Sequence, residues 1–178
     1  MTETTENPEV QPTGSVVRDD DGRWIVLRRT FAAPVADVWA SLTEPAALEP
    51  WIGTWDGDPT TGSVRFVMTA EGATEGDECR VLRCDPPRRL VVETAVGETS
   101  WHLEIDLADD GGGTTALVFR QALGPDEDAG SIGPGWEYYL DRLAAARAGR
   151  DPAAVEWDSY YPALAAHYGA TGATGATD

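Results

Sequence analysis

One stretch in the last third of the chain constrains the fold more than any other. At residues 133–143 the sequence reads GPGWEYYLDRL, where a loop of glycine, proline and acidic residues changes abruptly into an apolar helical pattern. A helix with one apolar face has to bury that face, and most of the chain before it is strand-like. We therefore predict a long helix over residues 131–148, packed on a sheet. The large side chains on its apolar face are Ile132, Trp136, Tyr139, Leu140 and Leu143.

Strand-like segments separated by turn residues precede this helix. Residues 16–18 and 23–31 flank the sequence DDDG at residues 19–22, which predicts a hairpin because Asp-Gly tolerates the positive φ of a tight turn. Pro34 suits the first turn of a helix, and Pro45 begins a second short helix. Six further strands are predicted at residues 52–55, 63–69, 77–84, 89–94, 100–107 and 114–122.

The short connections between these strands indicate a mostly antiparallel meander. Trp101, Leu103 and Ile105 alternate with polar residues, so one face of the sheet is buried and the other is wet. The predicted fold class is α+β, a curved antiparallel sheet of about six to seven strands with two short helices and a long C-terminal helix. The predicted organisation is a disordered segment at residues 1–14, one domain at 15–168 with a helical extension at 149–168, and a low-complexity tail at 169–178.

The chain carries a formal net charge of −18, and its 13 basic residues are all arginine. Electrostatic repulsion therefore argues against nucleic acid and against anionic membrane surfaces as partners. No apolar run long enough to cross a bilayer and no basic-then-apolar leader are found, which favours a cytoplasmic protein. Cys79 and Cys84 are expected to be reduced core residues that point to opposite faces of one strand unless a bulge intervenes.

Residues suited to catalysis or metal binding are sparse. His102 lies on the polar side of its predicted strand, and His167 lies near the tail, with no clustered ligands around either in the sequence. We predict no metal and no cofactor, because metal ligands would have to cluster. No residue is assigned a catalytic role. The candidates for polar groups inside a cavity, subject to strand register, are Arg65, Glu93, Arg120 and Tyr139.

A set of structural motifs resembles a known family. The matching segments are RTFAAPVADVW at residues 29–39, LTEP at 42–45, Trp51, DPPRRL at 85–90, GTT at 113–115, and Gly135-Trp136 followed by Leu140 and Leu143. Together they are similar to the START-like helix-grip superfamily, also called SRPBCC, in the branch named after the C-terminal domain of the heat-shock-protein-ninety ATPase activator. The resemblance implies a strongly bent sheet of seven strands that grips the long helix, often around an apolar cavity.

Aromatic residues carry the functional signal, since the chain has seven tryptophans and several lie where helix-grip pockets form. Ordinary core packing would also explain each of them singly. A pocket is the default hypothesis, because small-molecule sites have apolar walls and few polar groups. The predicted ligand-binding residues are Trp51, Trp55, Phe66, Trp101, Phe119, Trp136, Tyr139 and Leu140.

Three functions remain open on these grounds. The first is binding of a small hydrophobic or aromatic molecule between the sheet and the C-terminal helix. The second is a cyclase/aromatase-like or hydrolase enzyme in the same cavity, which needs at least two convergent polar side chains, one with a perturbed pKa. The third is a co-chaperone-like domain with a protein partner, which the family name suggests. The first is our main prediction, with the acidic loop over residues 124–134 as the gate.

Overall fold

Alternating inward and outward side chains build one antiparallel sheet that carries the helices on one face. The computed structural model describes residues 9–171. Its strands are β1 Ser15–Asp19, β2 Gly22–Phe31, β3 Thr54–Asp56, β4 Ser63–Val67, β5 Asp77–Asp85, β6 Arg89–Val96, β7 Thr99–Gly111 and β8 Thr114–Leu123. Its α-helices are α1 Val35–Thr43, α2 Pro45–Leu48, α3 Ala129–Arg147 and α4 Ala165–Thr171. Single 3₁₀ turns lie at Pro59–Thr61, Thr69–Glu71, Pro152–Ala154 and Trp157–Ser159.

The strand order is β1-β2-β8-β7-β6-β5-β4-β3, and all neighbouring strands run antiparallel. The predicted α+β class and the helix-grip arrangement are confirmed. The sheet has eight strands where about six to seven were predicted. The eight strands correspond to the two strands of the predicted hairpin and the six segments predicted after it. Among them, β3 is a three-residue edge strand that pairs only with β4.

Strand β8 at the centre of the sheet shows how the core is built. Its residues alternate between partly exposed and buried over its whole length. Leu117, Phe119 and Leu123 point to the helical side and join the main hydrophobic cluster. Leu140 and Leu143 of α3 belong to the same cluster, so the predicted apolar face of the long helix is packed as expected.

A β-bulge in β5 decides the orientation of the two cysteines. The register with β6 shifts between Val81 and Arg83. The extra residue returns Cys84 to the same side as Cys79, and both side chains face the space between sheet and helices. The two cysteines therefore do not lie on opposite faces, because a bulge intervenes between them. Both are free thiols, but only Cys79 is buried as expected, and Cys84 is exposed.

Helix α3 begins earlier than the sequence indicates. The Asp128 side chain accepts a hydrogen bond from the Gly130 amide at 2.9 Å, and this N-cap starts the helix at Ala129. Residues 130–134 are thus helical, and Pro134 lies inside the helix rather than in a loop. The loop proposed as a gate over residues 124–134 is reduced to residues 124–128.

A buried carboxylate ties both ends of the domain to α3. Glu137 is 1% exposed and accepts hydrogen bonds from both the amide and the hydroxyl of Thr13, the Gly14 amide, Arg29 and the Tyr168 hydroxyl. Thr13 and Gly14 thus contact α3 through Glu137, and α4 extends to Thr171. Residues 1–8 and 172–178 lie outside the described residues.

The contact between α3 and α4 gives the first prediction. A Cβ on Gly133 would lie 2.3 Å from Cγ of Tyr168, whereas a Cβ on Gly135 meets nothing within 4 Å. We expect Gly135→Ala to raise the free energy of unfolding by about 1 kcal/mol through helix propensity. Gly133→Ala should lower it by about 1 to 3 kcal/mol, because the methyl group displaces Tyr168. Urea denaturation measures both, and equal stability of the two variants would contradict the described packing of α4.

The Glu137 network gives a second prediction. Burial alone would raise the pKa of Glu137, but hydrogen bonds from Tyr168, Gly14 and Arg29 outweigh it and hold the pKa below its ordinary value. Glu137→Gln should cost about 3 kcal/mol at neutral pH, because it leaves buried donors and Arg29 without their charged acceptor.

The pH dependence of that cost follows from the lowered pKa. The stabilisation by the Glu137 carboxylate is present above its unfolded pKa of about 4.3 and is lost as the pH falls through the folded pKa. The difference between wild type and Glu137→Gln should therefore shrink in acid, in denaturation curves recorded from neutral pH downward. The exposed Glu98→Gln serves as the control and should track the wild type. A pH-independent difference would show that the charge of Glu137 is not what stabilises the network.

Candidate functional site

Two cavities lie side by side between the sheet and the helices. The first, the apolar cavity, has a volume of about 450 Å³ and lies between the α1–α2 pair, the middle of α3 and strands β4 to β8. The second, the acid-rimmed cavity, has a volume of about 800 Å³ and lies between the N-terminal half of α3 and strands β4 to β7. The residues that line both are Ile52, Phe66, Cys79, Val92, Leu103 and Trp136.

The apolar cavity is walled by aromatic rings whose polar edges are already bonded. The indole N–H of Trp51 donates to the carbonyl of Ser41 at 3.0 Å, and that of Trp55 donates to the carbonyl of Thr43 at 2.8 Å. These carbonyls belong to the C-terminal part of α1, so the helix end fixes both rings. Only the apolar ring faces and edges remain to line the cavity, and a ligand there meets hydrocarbon surface.

Trp136 forms the wall between the two cavities. Its ring centroid is 4.3 Å from that of Phe119 and 6.3 Å from that of Trp101. Its indole N–H donates to Oε1 of Gln121, a residue fully buried on β8. The indole N–H of Trp101 donates to Oε1 of Glu127 at 2.9 Å, which links the sheet to the loop before α3. The wall is therefore fixed by hydrogen bonds on both sides.

The acid-rimmed cavity differs from its neighbour by a polar edge. Glu71 and Asp77 line it and are exposed at its rim. The Tyr139 hydroxyl donates to Oε1 of Glu71 at 2.7 Å. Burial, together with the Glu71 carboxylate, raises the pKa of Tyr139, so that its phenol keeps its proton at neutral pH. Trp157 from the C-terminal extension completes the lining.

All eight residues predicted to bind a ligand line these cavities. Trp51, Trp55, Phe119 and Leu140 line the apolar cavity. Trp101 and Tyr139 line the acid-rimmed cavity, and Phe66 and Trp136 line both. Ligand binding by these residues stays a prediction.

The sequence reasoning missed three aromatic residues that line the cavities. Trp39 on α1 faces the apolar cavity, and Tyr138 and Trp157 face the acid-rimmed cavity. Trp39 belongs to the helical repeat of α1, which identifies a buried face and gives no indication of a void beneath it. Trp157 belongs to the predicted helical extension, whose spacing indicates a buried face and does not connect it to a site formed mainly by residues 50 to 140.

Three of the four predicted polar candidates lie away from both cavities. Arg65 pairs with Asp56, Glu93 with Arg80 at 3.5 Å, and Arg120 with Asp19 at 2.7 Å, all in exposed or half-exposed positions. Tyr139 is the fourth, and it faces the acid-rimmed cavity.

The thiols and imidazoles are held in unreactive settings. Burial raises the pKa of the Cys79 thiol to about 11, and burial together with Asp85 raises that of Cys84, so both are protonated at neutral pH. His102 contacts Oε1 of Glu104 at 3.1 Å, and His167 contacts the Gly14 carbonyl at 2.8 Å. Within residues 9–171, no three His, Cys, Asp or Glu side chains group as a metal site.

Solved structures share this architecture. CalU16 from Micromonospora echinospora is 27% identical, with 77% of this chain and 85% of CalU16 covered at a TM-score of 0.61. DynU16, a protein of the dynemicin biosynthetic locus, is 23% identical, with 78% of this chain and 50% of DynU16 covered at a TM-score of 0.61. EF2215 from Enterococcus faecalis is 18% identical, with 85% of this chain and 88% of EF2215 covered at a TM-score of 0.64. The last two likenesses show the fold alone.

Sequence comparison gives the family. No curated protein matches the chain. None of the described helices is long and apolar enough to cross a membrane. The family described as "Activator of Hsp90 ATPase homolog 1-like protein" matches residues 32–148, which hold the sheet from the end of β2 onward and the whole of α3. The predicted START-like helix-grip relationship is confirmed by this match together with the structural neighbours. The chain therefore belongs to the Activator of Hsp90 ATPase homolog 1-like family.

Proposed function

We propose that the protein binds a small hydrophobic or aromatic molecule between its sheet and α3. The observation that carries the proposal is the apolar cavity, which has a volume of about 450 Å³ and is walled by aromatic and aliphatic side chains. Small-molecule sites in proteins have volumes of about 300 to 1,000 Å³, apolar walls and few polar groups. The cavity meets all three criteria.

The lining of the space favours an apolar ligand over water. Apolar surface gains about 25 cal/mol per Å² when it is removed from water. The aromatic and aliphatic side chains of the apolar cavity therefore favour a ligand that covers them with apolar groups.

The expected affinity is in the range of a specific carrier. A ligand that buries roughly 500 Å² of apolar surface, counted on both ligand and wall, gains about 12 kcal/mol. Loss of translation and rotation costs about 4 kcal/mol or more. The binding free energy that remains after this cost corresponds to a Kd on the order of micromolar.

The enzymatic alternative meets its requirement for convergent polar groups only in the acid-rimmed cavity, through Tyr139 and Glu71. No Asp, Glu, Arg or His among the described residues lines the apolar cavity. In the acid-rimmed cavity the Tyr139 phenol is bonded to Glu71, and its raised pKa suits a hydrogen-bond donor rather than a base. Binding is therefore the function that the geometry supports best.

A cavity-filling substitution tests the proposal. Val92 lines both cavities, so Val92→Phe should reduce the affinity for N-phenylnaphthylamine, a neutral probe that fluoresces in apolar sites, by about tenfold or more. The fold of the Val92→Phe variant should persist, because the phenyl ring fills space that already exists in the cavities. Leu82 on the same sheet is 45% exposed and lines neither cavity, so Leu82→Phe is the matched control and should bind like the wild type. Unchanged binding by Val92→Phe would place the probe elsewhere and count against the cavity.

A further inference from the structure

We propose that the acid-rimmed cavity selects its ligand by charge and takes amphipathic molecules with an apolar body and a cationic amine at one end. This inference rests on the proposed function and adds the chemical class of the ligand. The body would lie against Phe66 and Trp136, and the amine would lie at the rim beside Glu71 and Asp77.

The rim carries two carboxylates that are not neutralised. Glu71 and Asp77 both line the cavity and are exposed. The ion pairs of the described residues include neither of them. The Tyr139 hydroxyl donates to one oxygen of Glu71 at 2.7 Å, which orients this carboxylate while leaving its charge in place. A cationic group at the rim therefore meets two acceptors that no protein cation already uses.

The wall next to the rim is aromatic. Six aromatic side chains line the acid-rimmed cavity: Phe66, Trp101, Trp136, Tyr138, Tyr139 and Trp157. The ring centroids of Tyr138 and Tyr139 lie 5.1 Å apart, and those of Tyr138 and Trp157 lie 5.4 Å apart. Aromatic faces attract cations through their quadrupole, and surrounding rings are how proteins recognise alkylated ammonium groups. The aromatic rings and the two carboxylates of this cavity therefore both favour a cationic ligand.

Groups that would bind an anion are not available at this site. The chain has no lysine, and no arginine or histidine of the described residues lines either cavity. Arg142 lies behind Tyr138, but its guanidinium donates to the carbonyls of Trp51, Pro152 and Pro50 and to the Tyr138 hydroxyl. Its N–H groups are therefore engaged within the protein.

The N-terminus of α3 also fails to offer an anion site. Free amides at a helix start attract anions, and Ser131 at the start of α3 lines the cavity. The Asp128 carboxylate already accepts from the Gly130 amide at 2.9 Å and supplies the negative charge that this helix end favours. A ligand with a carboxylate or phosphate end would meet Glu71 and Asp77 at the rim without a compensating cation.

The test compares three molecules with one body and different ends. Decyltrimethylammonium, decanol and decanoate share the same alkyl chain and compete with N-phenylnaphthylamine for the cavity below their micelle concentrations. At neutral pH and low ionic strength we expect the cation to bind most tightly, the alcohol next and the carboxylate least. The ratio between cation and carboxylate should be at least about tenfold and should fall as salt is added.

Matched variants separate the rim from the charge of the whole protein. Glu71→Gln combined with Asp77→Asn should bring the three affinities together while leaving that of decanol unchanged. Glu98→Gln combined with Asp110→Asn alters net charge equally at exposed positions that line neither cavity, and should keep the wild-type order. Persistence of the full preference in the rim variant would overturn the role of the two carboxylates.

The outcomes distinguish this inference from the proposed function. If N-phenylnaphthylamine and decanol do not bind to the wild-type protein, the proposed function fails and the charge selection fails with it. If decanol displaces the probe but decanoate binds as tightly as the cation or more tightly, ligand binding stands and only the charge selection is refuted. The predicted order in the wild type, lost in the rim variant alone, supports both.

Discussion

One buried carboxylate holds α3 in place from the side opposite the cavities. Glu137 collects donors from the N-terminal segment, from β2 and from α4. Arg29 extends this network to Asp141 at 2.9 Å one helical turn later, and Asp141 in turn accepts from the Tyr160 hydroxyl at 2.6 Å. A charge buried this deeply is tolerated only when it is fully bonded, so the three segments are fixed to the helix together. The opposite face of α3 is then left to define the binding space.

Beside that space α3 is fixed at separate points along its length. Near the helix start, Trp136 rests on Phe119 of β8 with the ring centroids 4.3 Å apart. Further along, Arg142 binds the carbonyl of Trp51 at 2.8 Å and that of Pro152 at 2.9 Å. Trp136 lines both cavities, and apolar side chains line most of each. The departure from the close packing usual in protein interiors therefore does not reflect a shortage of apolar residues.

The fold was readable from the sequence because its signals are local. Turn residues marked the strands, and the 3.6-residue repeat marked α3, which the structure confirms. The wrong predictions concern the orientation of one side chain and the start of one helix. The bulge after Val81 has no local sequence signal, and it reverses the orientation of Cys84. Asp128 caps α3 and starts it at Ala129, although glycine and proline in residues 130–134 disfavour a helix interior. Cavities are harder still, since Trp51 in a filled core and Trp51 beside a void have the same sequence neighbours.

The distribution of arginines connects the composition to the site. Arg89 and Arg120 pair with Asp106, Glu104 and Asp19 away from the cavities, and Arg29 and Arg142 are bound within the packed structure. Arginine suits such positions because its planar group makes several directed hydrogen bonds at once. With no lysine in the chain, a flexible ammonium group that could reach the rim from nearby is absent. The negative charge at Glu71 and Asp77 thus persists because the cations are committed elsewhere, and an amine on the ligand can supply what the protein does not.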